Sequence, residues 1–144
     1  MPLDITSANS KLRLVVPAYY PGGIDVDDYA ADNMFDTAPL QNAEEIMSAD
    51  GKYHAGFVFN PADFTITLMP TSSALGKLED MVAAERTAIA KFVVNATLVV
   101  PSLNKKWTMV NGVLFSMPPL PPGRRILQPR PVVFHFETTT PSAV

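Results

Sequence analysis

The chain has 144 residues, 47% hydrophobic and 17% charged, with 14 Pro, 7 Gly and no Cys, which is the makeup of one globular domain of ordinary size. The lack of Cys excludes a thiol nucleophile, a zinc ribbon and a disulfide framework, and eleven basic against fourteen acidic residues leave a net charge of -3, which argues against a grip on nucleic acid through its phosphates. The N-terminal stretch has no basic region leading into an apolar run, and no apolar run reaches the length of about 18 that a membrane span needs, so the sequence reads as soluble and cytoplasmic when made.

Leu12, Leu14 and Val16 alternate with Lys11 and Arg13, which predicts a half-buried strand that ends in a turn at Pro21-Gly22-Gly23. From Ile24 to Gly51 the pattern becomes a polar stretch holding eight of the fourteen acids, with no Lys or Arg after Arg13 until Lys52. The expectation there is a long loop, with a short helical turn within Gln41 to Ser48. Tyr53, Ala55, Phe57 and Phe59 share one face of a second strand, which ends at Asn60-Pro61 and should form a hairpin with the next. That next strand alternates Phe64, Ile66 and Leu68 with Asp63, Thr65 and Thr67.

Thr71-Ser72-Ser73 offers capping hydroxyls to a segment with Leu75, Leu78, Met81 and Val82 on one face, predicting an amphipathic helix to about Arg86. Phe92, Val94, Ala96, Leu98 and Val100 then face away from Asn95 and Thr97 in a long strand that turns at Pro101 to Asn104. Lys106 to Met117 is strand-like, but its apolar phase slips at Asn111-Gly112, and a bulge explains this better than a hairpin between two very short strands. Residues 117–129 form a Pro-rich loop, Val132, Phe134 and Phe136 mark a last strand, and 138–144 should fray. No internal repeat is present, so the sum is a single mainly β (α+β) domain over residues 1–144, a β-sandwich or partial barrel with one flanking helix and a long acidic loop.

Searching for chemistry gives little. His54 and His135 each stand alone in a strand without a partner at metal-ligand spacing, so both read as structural. The pairs Asp27-Asp28 and Glu44-Glu45 lie in a polar stretch with few aromatics to build a pocket around them. Ser72 and Ser73 lack a glycine elbow, Gly22-Gly23 is an isolated pair and not a phosphate cradle, and Asn95-Ala96-Thr97 lies mid-strand where glycosylation is not expected. Pro119 to Arg124 fits the PxxP-plus-Arg form that SH3 domains bind, though a stiff inter-strand loop explains it as well. No catalytic residue, cofactor or metal site is assigned, and the weight shifts toward binding or assembly.

The run GFVFNPADFTITLMPTSSALGKLEDMVAAERTAIAKFVVNATLVV resembles bacteriophage tail tube proteins. In it an alternating strand of the type DFTITL passes through a small-residue cap into one helix, then a partly apolar strand and a WTMVNGVLF-like strand that ends in prolines. The resemblance covers about two thirds of the chain as a pattern of elements. It implies a structural virion protein, assembled in the host cytoplasm, whose strands join those of neighbours in a closed barrel, usually six subunits to a ring. The helix would lie outside, and a long loop would reach an adjacent ring. Implied partners are copies of itself, sheath, baseplate, terminator and tape-measure proteins, with DNA passing through without specific binding and no membrane. A type VI secretion-like tube, related in architecture, and a small β-barrel ligand-binding domain are the alternatives.

Four wall strands per subunit would then lie near 52–59, 63–69, 92–100 and 106–115. At about 4.8 Å per strand, six such subunits give an untilted circumference of about 115 Å, and strand tilt of about 40° opens the bore to about 50 Å between backbones, wide enough for a duplex. On this reading Asp63, Thr65, Thr67, Asn95 and Thr97 face the lumen. The intersubunit contacts expected are Tyr29, Met34, Phe35, Leu40, Ile46 and Met47 of the acidic stretch, with Lys105, Lys106, Arg124, Arg125 and Arg130 meeting its acids.

Overall fold

A computed structural model describes residues 10–26, 34–121 and 123–143. Nine strands and one helix are described: β1 (Lys11–Val16), β2 (Tyr20–Val26), β3 (Phe35–Asp36), β4 (Ala43–Met47), β5 (Tyr53–Phe57), β6 (Ala62–Leu68), α1 (Ser73–Ala88), β7 (Val94–Val100), β8 (Lys105–Ser116) and β9 (Arg130–Ala143). Seven strands form one antiparallel sheet in the order β2-β1-β7-β8-β9-β6-β3, open at both edges among the described residues, while β4 and β5 pair only with each other. The fold is therefore mainly β with one helix, a partial barrel.

Alternation decides which side of the sheet is core. Leu12 and Leu14 of β1, Phe64, Ile66 and Leu68 of β6, Val94, Ala96 and Leu98 of β7, and Val132, Phe134 and Phe136 of β9 are all buried. Helix α1 adds Ala74, Leu75, Leu78 and Met81 to the same core, and Val82 packs at its margin. Ser72 holds the N-cap position, and Ile89 closes the helix in the left-handed region with φ 53°. Just beyond, Lys91 Nζ meets the buried Glu85 carboxylate at 2.5 Å and donates to the Leu114 carbonyl at 2.9 Å, tying the helix end to β8.

The slip at Asn111-Gly112 is a bulge, as expected. Val94 pairs with Gly112 but Ala96 pairs with Met109, so β8 carries one residue more than β7 there. Asn111 takes φ 52°, and its backbone N–H is held by Asn95 Oδ1 at 3.0 Å. A Cβ on Gly112 would come within 2.1 Å of the Phe136 ring, so only glycine lets β9 lie this close.

Several expectations are corrected. The first turn is at residues 17–19, where Tyr19 N–H donates to the Val16 carbonyl at 3.0 Å. Pro21-Gly22-Gly23 instead forms an irregular part of edge strand β2, where a missing N–H costs no ladder bond. Residues 43–47 are a strand and not a helical turn, because they pair with β5 across a tight turn in which Gly51 has φ 87°. Strand β5 makes no hairpin with β6, which pairs with β9 and with two residues of β3. The C-terminal stretch does not fray within 138–143, since Thr138 to Ala143 pair with Val110 to Lys105.

Candidate functional site

Two surfaces stand out, and neither resembles a catalytic cleft. The first is the non-core face of the sheet. Register places Asp25, Arg13, Thr97, Thr108 and Thr140 in one row across five strands, and Asp63, His135 and Val113 in another. Asp63, Thr65, Thr67, Asn95 and Thr97 all lie on this face and are half-buried in the single chain. Two of them also support the fold: Asn95 holds the bulge, and Asp63 Oδ1 accepts a hydrogen bond from Ala38 N–H at 3.0 Å. Asn111 Nδ2 extends the polar network to Glu137 Oε2 at 2.8 Å. His135 stacks on Phe115 with ring centroids 4.0 Å apart, a packing role of the kind expected for it.

The second surface is the hairpin β4–β5, here called the arm, in which every strand residue is exposed. Its register pairs Ala43 with Phe57, Glu45 with Ala55 and Met47 with Tyr53, so these six residues share one face. Ile46, paired with His54, lies on the other. The turn is built by Ser48, whose amide and carbonyl bond to the Lys52 carbonyl at 2.8 Å and the Gly51 N–H at 3.0 Å, and whose hydroxyl donates to Asp50. That bond holds the Asp50 carboxyl below its ordinary pKa. Tyr53 donates its hydroxyl to Glu45, and the same bond raises the phenol's pKa above its ordinary value. Phe57 packs edge-on against Phe59 at 4.9 Å, and Phe59 is 91% exposed.

The residues expected at subunit contacts divide. Ile46 and Met47 are on the arm and exposed, Leu40 is exposed just before it, and Lys105, Arg124 and Arg125 are exposed elsewhere. Lys106 is half-buried in β8. Phe35 stacks on Phe64 at 6.4 Å and packs against the core, and the Met34 carbonyl accepts from Thr67 N–H at 3.1 Å, so both make contacts within this chain. Arg130 is buried at 3% exposure, ion-paired to Glu79 and donating to the Pro118 carbonyl at 2.5 Å, and so is engaged inside its own chain. Tyr29 lies outside the described residues.

Tyr53, Phe57 and Phe59, expected in the wall, are instead the exposed aromatics of the arm. Asp50-Gly51 just before the alternating run from Tyr53 was the signal for this turn. A cavity of about 380 Å³ opens beside the core, lined by Phe35, Phe64, Leu98, Trp107 and Met109 with Asp36, Thr37 and Thr139 at its polar side. Among the described residues no group of three His, Cys, Asp or Glu side chains is placed to hold a metal, and no helix is long and apolar enough to cross a membrane.

This architecture recurs in contractile injection machines. A chain in the cryo-EM structure of the anti-feeding prophage baseplate, symmetrised six-fold, superposes with a TM-score of 0.63 at 13% identity, matching 100% of this chain and 99% of that one. A chain in the sheath/tube terminator of the PVC extracellular contractile injection system, in its extended state, gives 0.58 at 11% identity over 99% of both chains. A chain in the extended PVC sheath-tube complex gives 0.56 at 13% identity, over 98% of this chain and 93% of that one. No curated protein matches. At such identities the likeness establishes the shared fold, the one anticipated from the tail tube resemblance. A family model matches residues 3–140, nearly the whole chain, and the protein belongs to the family described as Tail fiber protein gp32.

Proposed function

We propose that the chain is a structural subunit of a phage-type tail, forming stacked, six-membered rings whose joined sheets make a tube for genome delivery. The observation that carries this reading is the division of the surface. Among the described residues the sheet is open at both edges and turns a half-buried polar face away from its core, while a hairpin with Met47, Tyr53 and Phe57 exposed together on one face stands outside the described core. Open edges are completed by neighbouring strands, and a contiguous exposed apolar patch calls for a protein partner. The family description, which names a tail component, and the fold shared with chains of baseplate, terminator and sheath-tube structures support the same reading.

On this proposal the polar face with Asp63, Thr65, Thr67, Asn95 and Thr97 lines the lumen, and cations on that face are offset by acids, Arg13 by Asp25 in particular, so that DNA passes without being held. The arm and the exposed cations Lys105, Arg124 and Arg125 make contacts between copies. Sheath, baseplate, terminator and tape-measure proteins are the further partners. The role is structural and not catalytic.

Electron microscopy and sedimentation of the purified full chain test the proposal. Rings or hollow tubes are expected, and a monomer at every concentration overturns it. The lumen assignment has its own test. Replacing Thr65, Thr67 and Thr97 by Lys should leave tubes that form but release DNA poorly, whereas unchanged infectivity removes these residues from the lumen; Asn95 is spared because it holds the bulge. Passage of protein in place of DNA would mark the tube as type VI-like.

A further inference from the structure

The apolar face of the arm has an acid at its centre. Glu45 sits opposite Ala55, between the Ala43–Phe57 and Met47–Tyr53 pairs, with its carboxylate held by the Tyr53 hydroxyl. Covering this face with an apolar partner would strip water from the carboxylate without replacing it, so a partner that buries it must bring a cation. The cation must also be flanked by apolar side chains able to cover Met47 and Phe57.

The chain itself carries such a surface. Arg124 and Arg125 are exposed at the tip of the Pro-rich loop, next to Ile126 at 72% and Leu127 at 53% exposure, with Leu120 at 67% on the same loop. The tip is closed by a bridge between Gly123 and Leu127, and its base is fastened where buried Arg130 joins Glu79 to the Pro118 carbonyl. A loop held in this way loses little freedom on docking. Two cations elsewhere are already engaged, Arg13 by Asp25 and the Gly22 carbonyl and Lys91 by Glu85.

We propose that the arm of one copy docks on the Pro-rich loop tip of a second copy, with Glu45 receiving Arg124 or Arg125 while Ile126 and Leu127 cover the apolar side chains around it. This rests on the reading of the chain as a self-assembling subunit and specifies which two surfaces meet. Charge complementarity at the centre of an apolar contact fixes register as well as adding affinity.

Charge reversal in the full-length chain tests it. Glu45→Arg, and separately the double change Arg124→Glu with Arg125→Glu, should each raise the concentration needed for assembly by on the order of tenfold or more, and combining all three should recover most of the loss. Both sites are exposed, so an unchanged thermal melt is the expected control for folding. Should either reversal abolish folding, Glu45→Gln and Arg125→Gln replace it, with a smaller loss expected from each. Wild-type assembly that is indifferent to the reversals, or reversals that are additive without rescue, overturn the docking while leaving the tube proposal standing. A wild-type chain that never assembles overturns both.

Discussion

Strands β6 and β9 and strands β4 and β5 are both antiparallel pairs that carry large apolar side chains, yet their fates are opposite. In the first pair Phe64, Ile66, Phe134 and Phe136 are at most 3% exposed, covered by the sheet's other strands and by α1. In the second pair Ile46, Met47, Tyr53 and Phe57 are 59 to 69% exposed. An isolated two-stranded hairpin is marginal in water, having no third layer on which to bury its apolar face. The comparison teaches that alternation encodes a face to be buried but does not say whose atoms will bury it: for β6–β9 the cover is in the same chain, and for the arm no described residue of the chain supplies it, which is why a second copy is proposed to.

The sharpest way to break the comparison is to truncate one aromatic from each pair. Phe134→Ala removes a fully buried ring and should cost about 3–5 kcal/mol of subunit stability, seen as a fall in melting temperature of roughly 10 °C or more. Phe57→Ala removes a ring that is 68% exposed and should change the melt by less than about 0.5 kcal/mol. Its cost should appear only in assembly, as a rise of on the order of tenfold in the concentration at which rings or tubes form. A Phe57→Ala chain that melts much earlier as a monomer would mean that the arm is covered by its own subunit, and the contrast between the two pairs would dissolve.

The same contrast explains what was legible in the sequence. Strands β1, β6 and β7, the helix and the bulge at Asn111-Gly112 are readable because their cover is local and periodic: Leu12 and Leu14 meet Leu98 and Ala96 directly across the ladder. Alternation in β5 was equally readable, but pairing is not encoded by alternation, and its neighbour β4 was hidden. Ala43-Glu44-Glu45-Ile46-Met47 offers only a weak apolar rhythm, and its two adjacent acids suggest a solvated loop. Thr138-Thr139-Thr140-Pro141 likewise looks like a fraying end, and it is a strand because Lys105 to Val110 run alongside it. Arg130 was misplaced for a different reason. An Arg beside a Pro-rich loop suggests exposure, whereas here its guanidinium bridges α1 and that loop from a buried position.

The smallest expected effect lies at the arm's turn and depends on pH. The bond from the Ser48 hydroxyl, foremost, and then backbone N–H donors at Asp50 and Lys52 stabilise the ionised Asp50 carboxylate and lower its pKa from the ordinary 3.8. A group whose folded pKa is depressed contributes order above its unfolded value and loses it as pH falls through the folded value. The arm's turn should therefore be fully ordered near neutral pH and loosen below pH 3.8, while the seven-stranded sheet does not share the transition. Because the carboxylate is exposed, the consequence is local and should not register in the global melt. An NMR titration of the Asp50 side-chain carboxyl should give a midpoint below 3.8 in the native chain, moving up toward 3.8 in Ser48→Ala. Amide protection at Gly51 and Lys52, taken relative to intrinsic exchange at each pH, should fall over the same acid range and should not do so in Asp50→Asn. A midpoint that Ser48→Ala leaves unchanged would mean that the hydroxyl does not hold the turn, and the turn's geometry would then rest on the backbone bonds of Ser48 to Lys52 and Gly51.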